Sequence, residues 1–298
     1  MQCNKCRRNA VFFQEYSGLH LCEQHFVADV EAKAKHEIRR HRWMIPGDHI
    51  AVALSGNPNS SALLFFLKKL TANRRDIRIS AITLDDGIAG YRDLVYAMRI
   101  AQLMDTECIT GSFHEDFGIT VDEIAHTKGT SYACTYCRIL RNFLLNRIAR
   151  EHGITKLAIG NTLDDCAIVV LKNILQGNPG ILVSSGRNVR GKIPRIIPFL
   201  SIPCNEVTLY ADLHIKEYDQ SRCPYNNKPF EKDVHEMLRD FTIRHPATKY
   251  ALRSLEKNLA CACVSMADSV SSCEQCGEPA DGLCQSCQII NEVTAHGT

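Results

Sequence analysis

IAVALSGNPNSSALLFFLKKL, residues Ile50–Leu70, decides the architecture. Its first five residues are a short apolar run of the kind that forms a strand covered on both faces. Ser55–Ser60 then gathers Gly, Pro, Asn and Ser, the residues of turns. Ala62–Leu70 is apolar at helical spacing. A strand that turns directly into a helix is half of a β-α-β unit. Working outward, the same alternation recurs. Strands are expected at Ile77–Leu84, Thr106–Thr110 and Lys156–Gly160. Helices are expected at Tyr91–Met104, Arg138–His152 and Leu163–Gln176, and residues 203–259 read as mainly helical. The expectation is an α/β fold with a doubly wound parallel sheet.

A turn such as Ser55–Ser60, between a first strand and its helix, can cradle phosphate with backbone N–H groups and the positive end of the helix dipole. Taken alone, SGNPNS is a weak signal and reads better as an ordinary strand–helix turn. Asp164 and Asp165 open the helix after the Lys156–Gly160 strand. Carboxylates there commonly serve as partners of the helix dipole.

The chain has 298 residues, 45% of them apolar, enough for one large core or two modest ones. A net charge of +2 neither favours nor excludes a nucleic-acid partner. No stretch approaches membrane-span length, and MQCNKCRRNA does not resemble a signal peptide. A cytoplasmic protein without a membrane anchor is expected. Upstream of the first core strand, residues 26–43 read as a helix ending in a basic run. Lys33, Lys35, Arg39, Arg40 and Arg42 there could contact RNA phosphates or simply form a solvated face.

Cysteine is the compositional outlier. There are 15, mostly in C-x-x-C pairs, which in a cytosolic protein point to metal or redox chemistry. Cys3-x2-Cys6-x15-Cys22-x2-His25 opens the chain, and Cys273-x2-Cys276-x7-Cys284-x2-Cys287 closes it. Two short pairs across a loop suit one tetrahedral zinc, and four protein ligands make a closed, structural site. Reduced structural thiols or disulfides are the alternative. Neither end can bury a core of its own, so metal binding would supply much of its folding energy. Cys261 and Cys263 receive no role. Cys108 and Cys204 read as ordinary buried thiols.

Several further blocks resemble one family. SGNPNS occupies the place of the SGGxDS loop of the N-type ATP-pyrophosphatases, with Ser55, Gly56 and Ser60 retained. Asn57 replaces a Gly and could take a left-handed conformation. Pro58 removes a backbone donor, and Asn59 replaces a carboxylate able to hold magnesium. LDDGIAGYRD (Leu84–Asp93), CTYCRILRNFLLNRIARE (Cys134–Glu151), GNTLDDCAIVVLKNILQGN (Gly160–Asn178), RCPYNN (Arg222–Asn227) and RHPATKYALRSLEK (Arg244–Lys257) resemble successive motifs of the TtuA-type, cytosolic-thiouridylase family of tRNA 2-thiolation proteins. Asn161 stands where that family usually has His. With the terminal modules, the resemblance covers nearly the whole chain.

That resemblance implies a tRNA-uridine 2-sulfurtransferase: ATP with Mg2+ adenylates the uridine 2-carbonyl oxygen, and sulfide then displaces AMP. It implies that Ser55, Gly56, Asn57, Asn59, Ser60 and Gly160 face the phosphates, and that Asp85, Gly87 and Ile88 lie on the adenosine side. Asp164 or Asp165 would be an acid/base or magnesium ligand. Cys134, Cys137 and Cys223 would hold a [4Fe–4S] cluster with one open iron. The residues alone leave open a third zinc site or two unrelated thiol groups. The resemblance further implies tRNA as partner, a ubiquitin-like sulfur carrier or sulfide donor, and a homodimer. A second reading is a non-catalytic paralogue that binds tRNA or carries sulfur or a cluster, its loop having lost ATP. The expected division is an N-terminal zinc module at 1–28, a linking basic helix at 29–46, a catalytic core at 47–260 and a C-terminal zinc module at 261–298.

Overall fold

The structure is a computed structural model, and it describes residues 1–178, 192–226, 229–262, 273–278, 280 and 282–294. Asn227 of the RCPYNN block and Cys263 lie outside the described residues.

A hairpin of β1 (Phe12–Gln14) and β2 (Leu19–Leu21) leads into α1 (Glu23–His41). The core then alternates: β3 (His49–Ala53), α2 (Pro58–Thr71), β4 (Arg78–Asp85), α3 (Leu94–Leu103) and β5 (Cys108–Ser112). Two short helices follow, α4 (Phe113–Phe117) and α5 (Val121–Lys128), before the long α6 (Thr130–Glu151). Next come β6 (Lys156–Ala158), α7 (Leu163–Leu175), β7 (Arg195–Ile196) and α8 (Cys204–His214). The chain ends in α9 (Pro229–Arg244), α10 (Thr248–Ala262) and α11 (Gln285–Thr294).

The five core strands run parallel in the order β5-β4-β3-β6-β7. The chain winds outward from β3 to β5, then returns to β6 beside β3 and winds the other way. This reversal opens a crevice at the C-terminal ends of β3 and β6, where doubly wound sheets bind ligands. One face is packed by α1, α2 and α8 through Phe26, Leu63, Phe66 and Tyr210. The other is packed by α5 and α6 through Ile124, Leu140 and Leu144 against Ile82 and Leu157. Cover on both faces explains why β3 reads as a continuous apolar run rather than an alternating one.

Three departures from expectation matter for the site. First, α6 starts at Thr130, not Arg138, so Cys134 and Cys137 lie on one helix, one turn apart. Tyr132, Cys134 and Tyr136 give no clear helical signal. The helix is fixed by packing, because Ala133, Cys137, Leu140 and Leu144 recur at helical spacing and all enter the core. Second, β7 contributes only Arg195–Ile196, in register with Leu157 and Ala158. Third, α1 starts at Glu23, so His25 lies in its first turn.

The ends are anchored to the core. Glu206 on α8, 1% exposed, accepts from Tyr16 Oη (2.8 Å) and Gln14 Nε2 (3.1 Å) and pairs with Lys33 (3.0 Å). At the other end Glu278 is ion-paired with Arg150 of α6, and Glu292 of α11 with Lys128 of α5 (2.8 Å).

Candidate functional site

The crevice contains a cavity of about 270 Å3 floored by the ends of β3 and β4. Ser55, Asn57, Asn59 and Ser60 line it from one side, and Gly160 with Asp165 from the other. The left-handed residue of the turn is Gly56, at φ +79°. Asn57 instead has φ −74°, so the expectation of a left-handed Asn57 is corrected: the residue is the extended N-cap of α2. Its Oδ1 accepts from Ser60 N (2.9 Å), as an N-cap carboxamide should. Pro58 takes the first helical position, where a missing N–H costs the helix nothing. The hydroxyls of Ser55 and Ser60 lie 3.2 Å apart. Gly160 is needed for closeness: a Cβ there would stand 2.9 Å from Ser60 N and 3.0 Å from Asn59 O. Gly56 itself does not line the cavity.

Asp164 and Asp165 separate cleanly. Asp164 faces away: its carboxylate accepts from Cys204 N (2.7 Å) at the start of α8 and pairs with Lys249 (2.5 Å). Asp165 Oδ2 accepts from the N–H (2.7 Å) and hydroxyl (2.9 Å) of Thr162, while the residue lines the cavity. Of the two, Asp165 has the position for ligand chemistry, and Asp164 ties α7 to α8 and α10.

The adenosine-side residues form a neighbouring opening. Asp85 and Ile88 line it, and Arg92 borders both spaces. Gly87, at φ +66°, lines neither; its Cβ position is 2.5 Å from Thr120, and its N–H donates to Asp85 Oδ1 (2.8 Å). Sequence reading passed over Asp86, which is 3% exposed and is the electrostatic centre of the region. It pairs with Arg92 (3.2 Å) and with both Nε and Nη2 of Arg141. Arg141 Nη2 also donates to Cys137 Sγ (3.0 Å) and Arg141 lines the cavity, so one side chain joins the crevice to the second cysteine of the pair. The C-x-x-C pair was visible in the sequence, though not the helix that carries it, and a basic residue four positions past its second cysteine was the signal available for Arg141.

Cys137 is buried and Cys134 half-buried, while Cys223 packs against the same core as Cys137. Burial pushes the Cys137 thiol up to about 12; Arg141 opposes this, and Asp86 and Cys223 add to it. The segment bearing Cys223 is pinned at both ends. Asp219 N donates to Gly56 O (2.8 Å), Arg92 N to Ser221 Oγ (3.2 Å), and Tyr225 Oη to Asp122 (2.7 Å). It thus bridges the turn after β3 and α5, the helix packed beside the cysteine-bearing α6.

Two donor groups of at least three His, Cys, Asp or Glu have ligand atoms within 4.8 Å of one another among the described residues: Cys3/Cys6/Cys22/His25 and Cys273/Cys276/Cys284/Cys287. Cys6 and Cys22 sulfurs stand 3.6 Å apart, His25 Nδ1 is 3.4 and 3.3 Å from Cys3 and Cys22, and Cys276 and Cys284 are 3.5 Å apart. A tetrahedron with metal–sulfur bonds of about 2.3 Å has edges of about 3.8 Å, so both groups fit a single ion. Foremost among several backbone donors, the Cys284 N–H (3.2 Å) draws the Cys273 thiol down to about 6, toward the thiolate a metal needs. Cys134, Cys137 and Cys223 do not form such a single-ion group.

The remaining expectations are partly corrected. In the basic run, Lys33 is tied to Asp29 and Glu206, and Lys35 to Glu31, so neither is an open phosphate contact. Arg39, Arg40 and Arg42 are exposed. Cys204 is only half-buried, with its sulfur 3.8 Å from Asn59 Nδ2, and Cys108 is half-buried too, its thiol raised to about 11 by desolvation. Among the described residues no helix is long and apolar enough to cross a membrane.

A parallel sheet in this order, with a polar turn and a cavity at its switch point, defines an α/β protein of the PP-loop class. Residues 28–227 match the PP-loop domain family, and residues 2–27 match the N-terminal LIM domain of 2-thiouridine synthetase TtuA. The chain is similar to the tRNA 2-thiolation protein NcsA of Haloferax volcanii, 29% identical over 99% of this chain and 100% of the relative. It is 31% identical to cytoplasmic tRNA 2-thiolation protein 1 of Bos taurus, over 97% of this chain and 87% of that protein. The solved structure of the U34-tRNA thiolase NcsA from Methanococcus maripaludis with its [4Fe-4S] cluster superposes with a TM-score of 0.85 at 25% identity, covering 98% and 96% of the two chains. The chain belongs to the family of tRNA 2-thiolation proteins.

Proposed function

We propose that this chain is a cytoplasmic tRNA-uridine 2-sulfurtransferase that activates its substrate with ATP and Mg2+. The observation carrying this is the shared guanidinium of Arg141, which contacts Cys137 and lines the crevice cavity, so activation and sulfur delivery would meet at one place. In this reading the uridine 2-oxygen attacks the α-phosphorus of ATP, pyrophosphate leaves, sulfide adds at C2, and AMP departs with the oxygen. Ser55, Ser60 and Asn59 face the phosphates, Asp165 offers its cavity-side oxygen to Mg2+, and Arg141 offsets charge building on the phosphate. Asp86 holds Arg141 in place.

Cys134, Cys137 and Cys223 would hold the [4Fe–4S] cluster. The donor set fits: three soft sulfur ligands without single-ion convergence, with a guanidinium donating to one sulfur. Such a cluster supplies an iron with an open coordination position for sulfide. A ubiquitin-like thiocarboxylate carrier or free sulfide is the donor, and the working unit is a homodimer. Arg39, Arg40 and Arg42 are the part of the basic run left to meet tRNA phosphates. The chain divides at 1–28, 29–46, 47–260 and 261–298.

Anaerobic, cluster-loaded protein with ATP, sulfide and unmodified tRNA, followed by nucleoside analysis, tests the function. Formation of 2-thiouridine is expected. No product above the protein-free control, with tRNA still bound, would assign a scaffold instead. In the same assay Asn57→Gly, Pro58→Lys and Asn59→Asp together are expected to raise turnover roughly tenfold at limiting ATP. They free Ser60 N–H, restore a backbone donor and return a carboxylate to the cavity, and one charge-assisted contact is worth about 1.5 kcal/mol or more.

Each terminal module holds one zinc in this reading. Elemental analysis after purification without chelators should give two zinc ions per chain; fewer than one would exclude it. Cys276→Ser should remove one of the two and lower the thermal midpoint, because the module's fold depends on its metal.

A further inference from the structure

The turn after β3 is a poor anion cradle as it stands. Ser60 N–H is already taken by the Asn57 carboxamide at 2.9 Å, and Pro58 has no N–H to offer. A polyphosphate in the crevice therefore needs its counter-charge from elsewhere. Among the described residues, three arginines line the cavity: Arg92, Arg141 and Arg195. The first two share a single carboxylate, Asp86. Arg195 differs. It enters from β7 on the opposite side of the crevice, and its side chain donates to a neutral acceptor, Asn142 Oδ1 (3.0 Å). Glu278, whose carboxylate also acts on it, is itself ion-paired with Arg150. Desolvation accordingly holds Arg195 below the usual guanidinium range. A half-buried cation facing a cavity with a neutral partner is costly unless an anion completes it.

We propose that Arg195 is the principal polyphosphate-binding residue of this chain, holding the pyrophosphate portion of the nucleotide from the β7 side in place of the donors that Asn57 and Pro58 withhold. The inference rests on the nucleotide reading of the crevice and deepens it. Guanidinium geometry suits this role, since its fork of N–H donors matches phosphate oxygens. Asn142 fixes the fork's orientation from α6. Asp165 lies in the same cavity and would take the Mg2+ that accompanies such an anion. With Asp86 and Asp165 counted against Arg92, Arg141 and Arg195, the cavity carries one net positive charge, which Mg2+ held by Asp165 would raise to three, so a magnesium-bound polyphosphate is the anion it suits.

The probe is magnesium pyrophosphate, titrated calorimetrically into the full-length protein, with ATP and adenosine alongside. Wild type should bind pyrophosphate and ATP. Arg195→Gln should weaken both roughly ten- to hundredfold, the loss expected for one charge-assisted contact, and leave adenosine unchanged. Arg195→Lys, which keeps the charge but not the fork, should recover part of the loss, and unchanged thermal unfolding shows that the variants fold. Equal pyrophosphate affinity in wild type and both variants overturns the proposal while leaving the thiolation reading intact. So does a loss confined to tRNA binding, which would assign Arg195 to an RNA phosphate. Pyrophosphate binding that depends on Arg195, without 2-thiouridine in the nucleoside assay, would retain this site and remove the thiolation reading. Absence of pyrophosphate binding in wild type removes the site.

Discussion

Cys137→Ser is expected to abolish the broad visible absorption of anaerobically reconstituted protein and to bring 2-thiouridine formation down to the protein-free control. Both terminal metals should remain bound. Cys137 is 7% exposed and lies one helical turn from Cys134, with Cys223 against the same core. Serine is nearly isosteric but offers a hard, protonated oxygen where iron–sulfur ligation needs a soft thiolate. Packing alone predicts less. A polar hydroxyl in place of a buried thiol costs on the order of 1–3 kcal/mol and would thin the folded population without changing the spectrum of what folds. Cys134→Ser and Cys223→Ser should behave like Cys137→Ser. Cys166→Ser is the control: its thiol donates to Glu256 (3.0 Å) in a separate cluster under α10, so absorption per folded chain should be unchanged. Full visible absorption in Cys223→Ser would exclude Cys223 from the ligand set.

The sheet was legible because β3, covered on both faces, carries an uninterrupted apolar run, and β4 keeps Ile79, Ala81, Ile82 and Leu84 within a short segment rich in β-branched residues. β7 was not: two residues flanked by Pro194 and Pro198 carry no periodicity, and their strand character comes from pairing with Leu157 and Ala158. The start of α6 was hidden for a related reason, since its first two turns are helical through packing rather than propensity. The two terminal clusters of potential metal ligands were fully legible, as side chains brought together by local turns leave their spacing in the sequence. The crevice was legible only in outline. Asp86 and Arg195 act through Arg141 and Asn142, more than fifty residues away, and nothing local marks a carboxylate that will be buried between two guanidiniums. The basic run was over-read: Lys33 and Lys35 look like free charge until Asp29, Glu31 and Glu206 are placed beside them. Asn57 was assigned to the wrong backbone region because Gly56 supplies the turn's left-handed residue, leaving Asn57 free to cap α2.

Two adjacent carboxylates, indistinguishable in sequence, should give opposite results when neutralised. Asp165→Asn is expected to lower thiolation turnover by roughly 10²- to 10⁴-fold, the range for losing a positioned acid/base or metal-organising group. Its Oδ2 holds Thr162, and an amide oxygen can still accept there, so the fold should survive. The remaining oxygen is the one the cavity would use, and in Asn it is replaced by a neutral donor that cannot ligate Mg2+. Asp164→Asn removes the charge from a half-buried pair with Lys249 and weakens the acceptor that caps α8 at Cys204. An ion pair of that exposure is worth about 1 kcal/mol or less, and a cap about 1 kcal/mol. A lower thermal midpoint is therefore expected, with turnover per folded molecule within about threefold of wild type by that same order of energy. Raising Mg2+ separates the cases further, since it can compensate for a weakened metal site but not for a lost helix cap. Wild-type turnover in Asp165→Asn, or a large loss in an otherwise stable Asp164→Asn, would reverse the assignment and move the metal-holding role to the outward-facing carboxylate, which would require α10 and Lys249 to part from α7 when the nucleotide binds.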